Sequence, residues 1–350
     1  MIKLYNYLFI IIILFLLYSC KSDSLYNAPR FTHKKVVDLE LLSDNLSFNS
    51  VNDMYIYDNY VIIVAFDNNT STYIHIYDKN TGKHIRSGVQ RGRGPNETIF
   101  GQFNSHFDPR TGVVSMFDFM NRSIIKMDIS KFLIGDAGAI YSTEFHPNFN
   151  TKVFPLNDSM FLWINNFSPV SVDKAARFIV TDDLGDAIYE LDKFPYDENT
   201  WFRYNLYNSL YYDITPDRDK LAIISNYGLV VEIYELLNDS IRERTTKYYI
   251  EPTIGNEKEY NNDDTILGVN DVYVTDSAIY SAYDGEHYGN VPSSQFYNNI
   301  AVFDWNGNPK SLYKTNMRVL RVCCDDNTDE LYAVVENKDE STYLARICCR

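Results

Sequence analysis

An all-β fold, closed as a six-bladed propeller, is what the sequence predicts, and three observations predict it. A unit of short strand, polar turn, apolar strand, loop and further strand recurs at intervals of roughly 50–60 residues. Between these units nothing sustains a helical period. Aromatic residues make up 15% of the chain, 29 of them tyrosine, which suits strands and ligand-facing rims better than helical bundles.

Residues 1–19 lie outside this repeat and read as a lipoprotein signal peptide. Lys3 supplies a positive start, Leu8 to Leu17 is an apolar run too short for a membrane span, and Leu17-Tyr18-Ser19-Cys20 forms a lipobox. Cys20 is the expected lipidation site, residues 20–33 the expected tether, and residues 34–350 the propeller. Lys21 follows the cysteine where an aspartate often marks inner-membrane retention, so an outer-membrane lipoprotein is expected, on either face of that membrane. The formal charge of −15 becomes one unit more negative once Lys3 is removed. Such a balance excludes nucleic acid and a polybasic membrane contact, leaving the lipid on Cys20 as the membrane link.

The six apolar strands are YVIIVAFD (Tyr60–Asp67), VVSMFDF (Val113–Phe119), SMFLWINN (Ser159–Asn166), KLAIISNY (Lys220–Tyr227), AIYSAYD (Ala278–Asp284) and ELYAVVEN (Glu330–Asn337). Turns rich in Asp, Asn, Gly or Pro precede them, and third strands such as YIHIYD and NIAVFD follow. The last unit stops after its third strand. Lys34 to Leu42 (KKVVDLELL) has no unit of its own and is expected to supply the missing outer strand, which removes an open edge.

Two cysteine pairs remain, Cys323-Cys324 in the first strand of the last blade and Cys348-Cys349 in its third. With a strand between them their Cα atoms lie about 9–10 Å apart, beyond disulfide reach of about 7 Å. They are expected to be small apolar strand residues. Asp325-x-Asn327-x-Asp329 imitates the start of a calcium loop, but Glu330 follows where a glycine is required. It reads as a strand-connecting turn.

The segment QRGRGPNET (Gln90–Thr98) links the outer strand of blade one to the inner strand of blade two. A phosphate loop would open a helix and carry a following Lys, and this segment does neither. Gly92, Gly94, Pro95 and Glu97, behind a lipobox, resemble the turn of the TolB-like six-bladed propeller lipoproteins of Gram-negative bacteria and of NHL-type propellers. Asn96 stands where the NHL turn has a glycine and tolerates its positive φ. Thr98 stands where that turn has a phenylalanine, whose contact is expected to pass to Phe100 or Phe103. The resemblance implies fold and anchoring, and no reaction.

Blade crossings and the loops joining second to third strands share one face. Two long ones crowd it, Lys193–Ser209 and Tyr283–Asn299. Arg91, Arg93, Trp201, Arg203, Tyr283, His287 and Tyr288 are expected to ring the channel mouth and bind a carbohydrate, a peptide or a protein. No catalytic residue, metal ligand set or cofactor is assigned, because His287, Asp284 and Glu286 lack a further ligand at a recognisable spacing. The function expected is a binding module. The alternative is a propeller enzyme of lyase, lactonase or glycosidase type, which must gather carboxylates or histidines, such as His106, His146 and His287, from several blades.

Overall fold

The structure, a computed structural model, describes residues 26–144, 152–165, 176–195, 210–252, 265–288 and 296–348. The chain enters through β1 (His33–Val36) and β2 (Asp38–Leu41). Blade one is β3 (Phe48–Tyr57), β4 (Tyr60–Asp67), β5 (Thr72–Asp78) and β6 (His84–Gln90). Blade two is β7 (Ser105–Asp108), β8 (Val113–Asp118), β9 (Ser123–Asp128) and β10 (Ile140–Glu144). Blade three is β11 (Lys152–Pro155), β12 (Met160–Ile164), β13 (Phe178–Asp182) and β14 (Ala187–Leu191). Blade four is β15 (Leu210–Ile214), β16 (Lys220–Ser225), β17 (Leu229–Leu236) and β18 (Ile241–Ile250). Blade five is β19 (Val269–Val274), β20 (Ile279–Tyr283), β21 (Asn299–Phe303) and β22 (Pro309–Lys314). Blade six has only β23 (Arg318–Asp325), β24 (Glu330–Glu336) and β25 (Thr342–Cys348) from its own repeat.

Every apolar strand read from the sequence is the second strand of a blade. These strands are continuous apolar runs because neighbouring blades cover both of their faces, as the burial of Val61 to Ala65 along β4 shows. Six apolar cores fill the six blade junctions. A buried ion pair joins blades three and four: Arg177 donates to both carboxylate oxygens of Glu232 at 2.7 and 2.8 Å. Tyr234 Oη donates to the same carboxylate at 2.7 Å.

Blade six is completed by the N-terminal segment, but that segment is divided. β2 pairs antiparallel with β25, as expected, while β1 pairs parallel with β22 and gives blade five a fifth strand. Val37 is the joint. It is buried among residues of blades five and six, and its N–H donates to Lys314 O at 3.0 Å. The chain already lies against the propeller before residue 34: Asn27 N–H donates to Tyr248 O, and Phe31 packs on Tyr283 and Phe303. Cys20 and the rest of residues 1–25 lie outside the described residues.

Cys323, Cys324 and Cys348 are free thiols. Cys323 points into the core shared with blade one and Cys324 into the core shared with blade five, as alternation along a strand requires. Cys349 lies outside the described residues. The Asp325 segment is a turn: its carboxylate accepts from Asn327 N–H at 3.1 Å and pairs with Lys79 at 2.6 Å.

Candidate functional site

The Gln90–Thr98 crossing is built around Glu97. Gly94 N–H donates to Glu97 Oε2 at 2.8 Å, and a Cβ on Gly92 would overlap that carboxylate. Gly92 leaves the space that the carboxylate occupies, and a Cβ on Gly94 would crowd the same group at 2.9 Å. The left-handed position is Asn96, at φ 63°, whose side chain donates to Ile140 O at 3.0 Å. Thr98 donates to the buried Asp118 at 2.6 Å, fixing the turn to blade two. Phe100 and Phe103 are both exposed, so neither takes over a buried aromatic contact.

Of the seven residues expected at the mouth, the five described ones fall in two groups, Arg91 and Arg93 after blade one and Tyr283, His287 and Tyr288 on blade five. Arg91 is exposed and lies over the Phe66 ring at 5.1 Å, against its own blade. Arg93 is exposed on the same turn. Tyr283 is buried in the core between blades four and five, where Phe31 meets it. His287 is tied to Ile266 by a backbone bridge, and Tyr288 packs on Phe296 at 5.3 Å. None of these five is among the residues that line the cavities along the channel. Trp201, Arg203 and His146 lie outside the described residues.

The channel is walled by the first strands β3, β7, β11, β15, β19 and β23. They run in one direction, so their starts ring one mouth and their ends the other. An innermost strand has one edge without a partner, and side chains from neighbouring blades take its backbone groups. Asn104 Oδ1 accepts from Val153 N–H at 3.0 Å, Asp213 Oδ2 from Val274 N–H at 3.1 Å, and Asp271 Oδ2 from Val322 N–H at 2.8 Å. Arg321 donates to Asn52 O at 2.7 Å, and Ser105 Oγ donates to Asp53. Four of the six junctions are laced through a backbone group in this way, and the Ser105–Asp53 side-chain bond joins a fifth, among the described residues.

The lacing leaves charge inside the channel. Lys152 Nζ lies 3.9 Å from Asp53 and donates to Ser105 O at 3.1 Å. Arg321 Nε lies 3.7 Å from Asp271. Asp213 accepts two backbone N–H groups and forms no ion pair among the described residues. Burial pushes its carboxyl up to about 8 and that of Asp271 up to about 6. His106 is 8% exposed, and its Nε2 has no partner among the described residues. Burial, with Arg218 and Lys152 nearby, holds its imidazole neutral, down to about 3.

Each end of the channel opens into a cavity. At the starting end, about 170 Å³ is lined by Asp53, Phe103, Lys152, Tyr211, Asp271 and Arg321 among others. At the finishing end, about 190 Å³ is lined from five blades by Tyr55, His106, Asp213, Tyr273 and Asp326 among others. Of these groups only His106 is expected at the channel from the sequence. The signal was present: Asn52-Asp53-Met54-Tyr55 and Asn270-Asp271-Val272-Tyr273 repeat one pattern in two first strands, with a carboxylate where an all-apolar strand would have none. No three His, Cys, Asp or Glu side chains stand close enough to share a metal ion among the described residues.

No curated protein matches the chain. A Bacteroides fragilis NCTC 9343 protein described as exported superposes with TM-score 0.54 at 15% identity, covering 91% of this chain and 99% of that one. A member of the DUF4221 family from Bacteroides vulgatus ATCC 8482 gives TM-score 0.54 at 13% identity over 90% of this chain and 98% of that one. At these identities the likeness is one of fold. Residues 30–327 match the family described as TolB-like 6-blade propeller-like, and with six laced blades closed by its own N-terminal strand the chain belongs to that family.

Proposed function

We propose that the chain is an outer-membrane lipoprotein, anchored by lipid on Cys20, whose propeller binds a polar ligand in its central channel. The observation that carries the binding reading is a channel open to a cavity at each end, with ionisable groups from all six blades lining it. This channel holds Asp213 without an ion pair and His106 Nε2 without a hydrogen-bond partner among the described residues. The anchor rests on the apolar run and lipobox before Cys20.

Two measurements test the reading. Metabolic labelling with a fatty-acid precursor should mark the wild type and not Cys20→Ala; an unlabelled wild type overturns the anchor. Thermal-shift screening of sugars, peptides and amines should yield a stabilising ligand whose effect falls at least about tenfold with a channel substitution such as Lys152→Met. If Arg91→Ala, Arg93→Ala, His287→Ala and Tyr288→Ala abolish that effect while channel variants keep it, the ligand sits on the loop surface and not in the channel.

A further inference from the structure

The cavity at the finishing end of the channel differs in chemistry from the other. Its wall holds four aspartates, Asp58, Asp213, Asp325 and Asp326, and no lysine or arginine. Asp325 is neutralised by Lys79. Asp58 and Asp326 are exposed at the rim, and Asp213 lies deeper on β15. Aromatic rings fill the space between them: Tyr55 and Tyr57 stand 5.3 and 5.9 Å from Phe107, and Tyr273 closes the opposite side. His106, more than nine-tenths buried, lines the same wall, and its Nε2 has no partner among the described residues. A neutral imidazole nitrogen of this kind accepts a hydrogen bond from a cationic N–H.

Taking the channel-binding reading as its premise, we infer that this cavity is a site for a primary ammonium group on a short alkyl chain. No three ligand side chains converge here as a metal site requires among the described residues, and carboxylates with aromatic faces between them fit an elongated organic cation. The inner ammonium is held by Asp213 and His106, the chain runs along Tyr55, Phe107 and Tyr273, and the outer end meets Asp326 and Asp58. Two sources carry this chemistry, a free diamine and a lysine side chain of a peptide.

Binding is coupled to a proton. Asp213 faces Asp53 and Tyr55 on β3, Lys152 on β11 and Tyr273 on β19. Its carboxyl is largely protonated at neutral pH, and pairing with an ammonium ion requires that proton to leave. Affinity should therefore rise with pH up to about 8, by as much as about tenfold per unit, and level off above it.

Titration calorimetry of the full chain with 1,5-diaminopentane, N-acetyl-lysine amide and calcium chloride tests the inference. At least one ammonium probe should bind with Kd below roughly 1 mM, releasing a proton that shows as a buffer-dependent heat. Binding by the lysine amide as well as the diamine identifies a lysine side chain as sufficient; binding by the diamine alone identifies the free amine. Asp213→Asn should weaken either about tenfold or more. Asp326→Asn, exposed on the rim, should do the same in part without touching the fold. Absence of ammonium binding, binding of calcium alone, or unchanged affinity in both variants overturns the inference. A sugar or anion held through Lys152 would overturn the ammonium class and leave channel binding standing.

Discussion

Gly92 and Gly94 are small because the Glu97 side chain folds back into the turn between them. A methyl group on Gly92 expels that carboxylate and breaks its bond to Gly94 N–H, so Gly92→Ala should cost about 1–2 kcal/mol. In a Glu97→Ala background the same substitution should be nearly neutral, and denaturant melts of the four proteins measure the coupling directly. Arg177 sets a larger test. Arg177→Met leaves Glu232 buried without its bidentate partner between blades three and four, and should cost about 3–5 kcal/mol. A loss below about 1 kcal/mol would show that the pair is solvated in solution. The turn was legible because glycine and proline announce it. The channel carboxylates were not, since one aspartate inside a short strand looks like a turn residue until six such strands face one axis.

Strands were legible for a physical reason that also limits what they reveal. A second strand buried on both faces must be apolar throughout, so β4, β8, β12, β16, β20 and β24 stand out in sequence. The first strands carry mixed residues because one edge meets the channel, and they show no such run. The N-terminal segment was legible as a strand and not as two, because its division depends on Val37 finding a pocket shared by blades five and six. Val37→Asp places an unpaired charge in that pocket and should release β1 and β2 together, exposing the edges of β22 and β25. Light scattering should then show concentration-dependent association, with a melting temperature well below that of the wild type. A monomeric, equally stable variant would mean that either half closes the ring alone.

At the scale of the whole molecule, buried titrating groups set how stability varies with pH. Asp213 and Asp271 keep their protons in the folded state up to about 8 and about 6, whereas an unfolded aspartate loses its proton near 4. Between those values the folded protein binds more protons than the unfolded chain, so each group lowers stability as pH rises. His75 and His106 act in the opposite sense. Burial pushes them down to about 4 and about 3, so the unfolded chain binds protons that the folded one refuses, and stability rises until about pH 6.5. Above that pH the histidine contribution is complete and Asp213 alone of these four still titrates. Denaturant melts from pH 6.5 to 8.5 should therefore show the wild type losing stability relative to Asp213→Asn. The slope should not exceed about 1.4 kcal/mol per pH unit, and it should flatten above about pH 8. A difference between the two proteins that stays constant across this range would show that Asp213 is ionised in the folded channel, held there by Lys152 despite its burial.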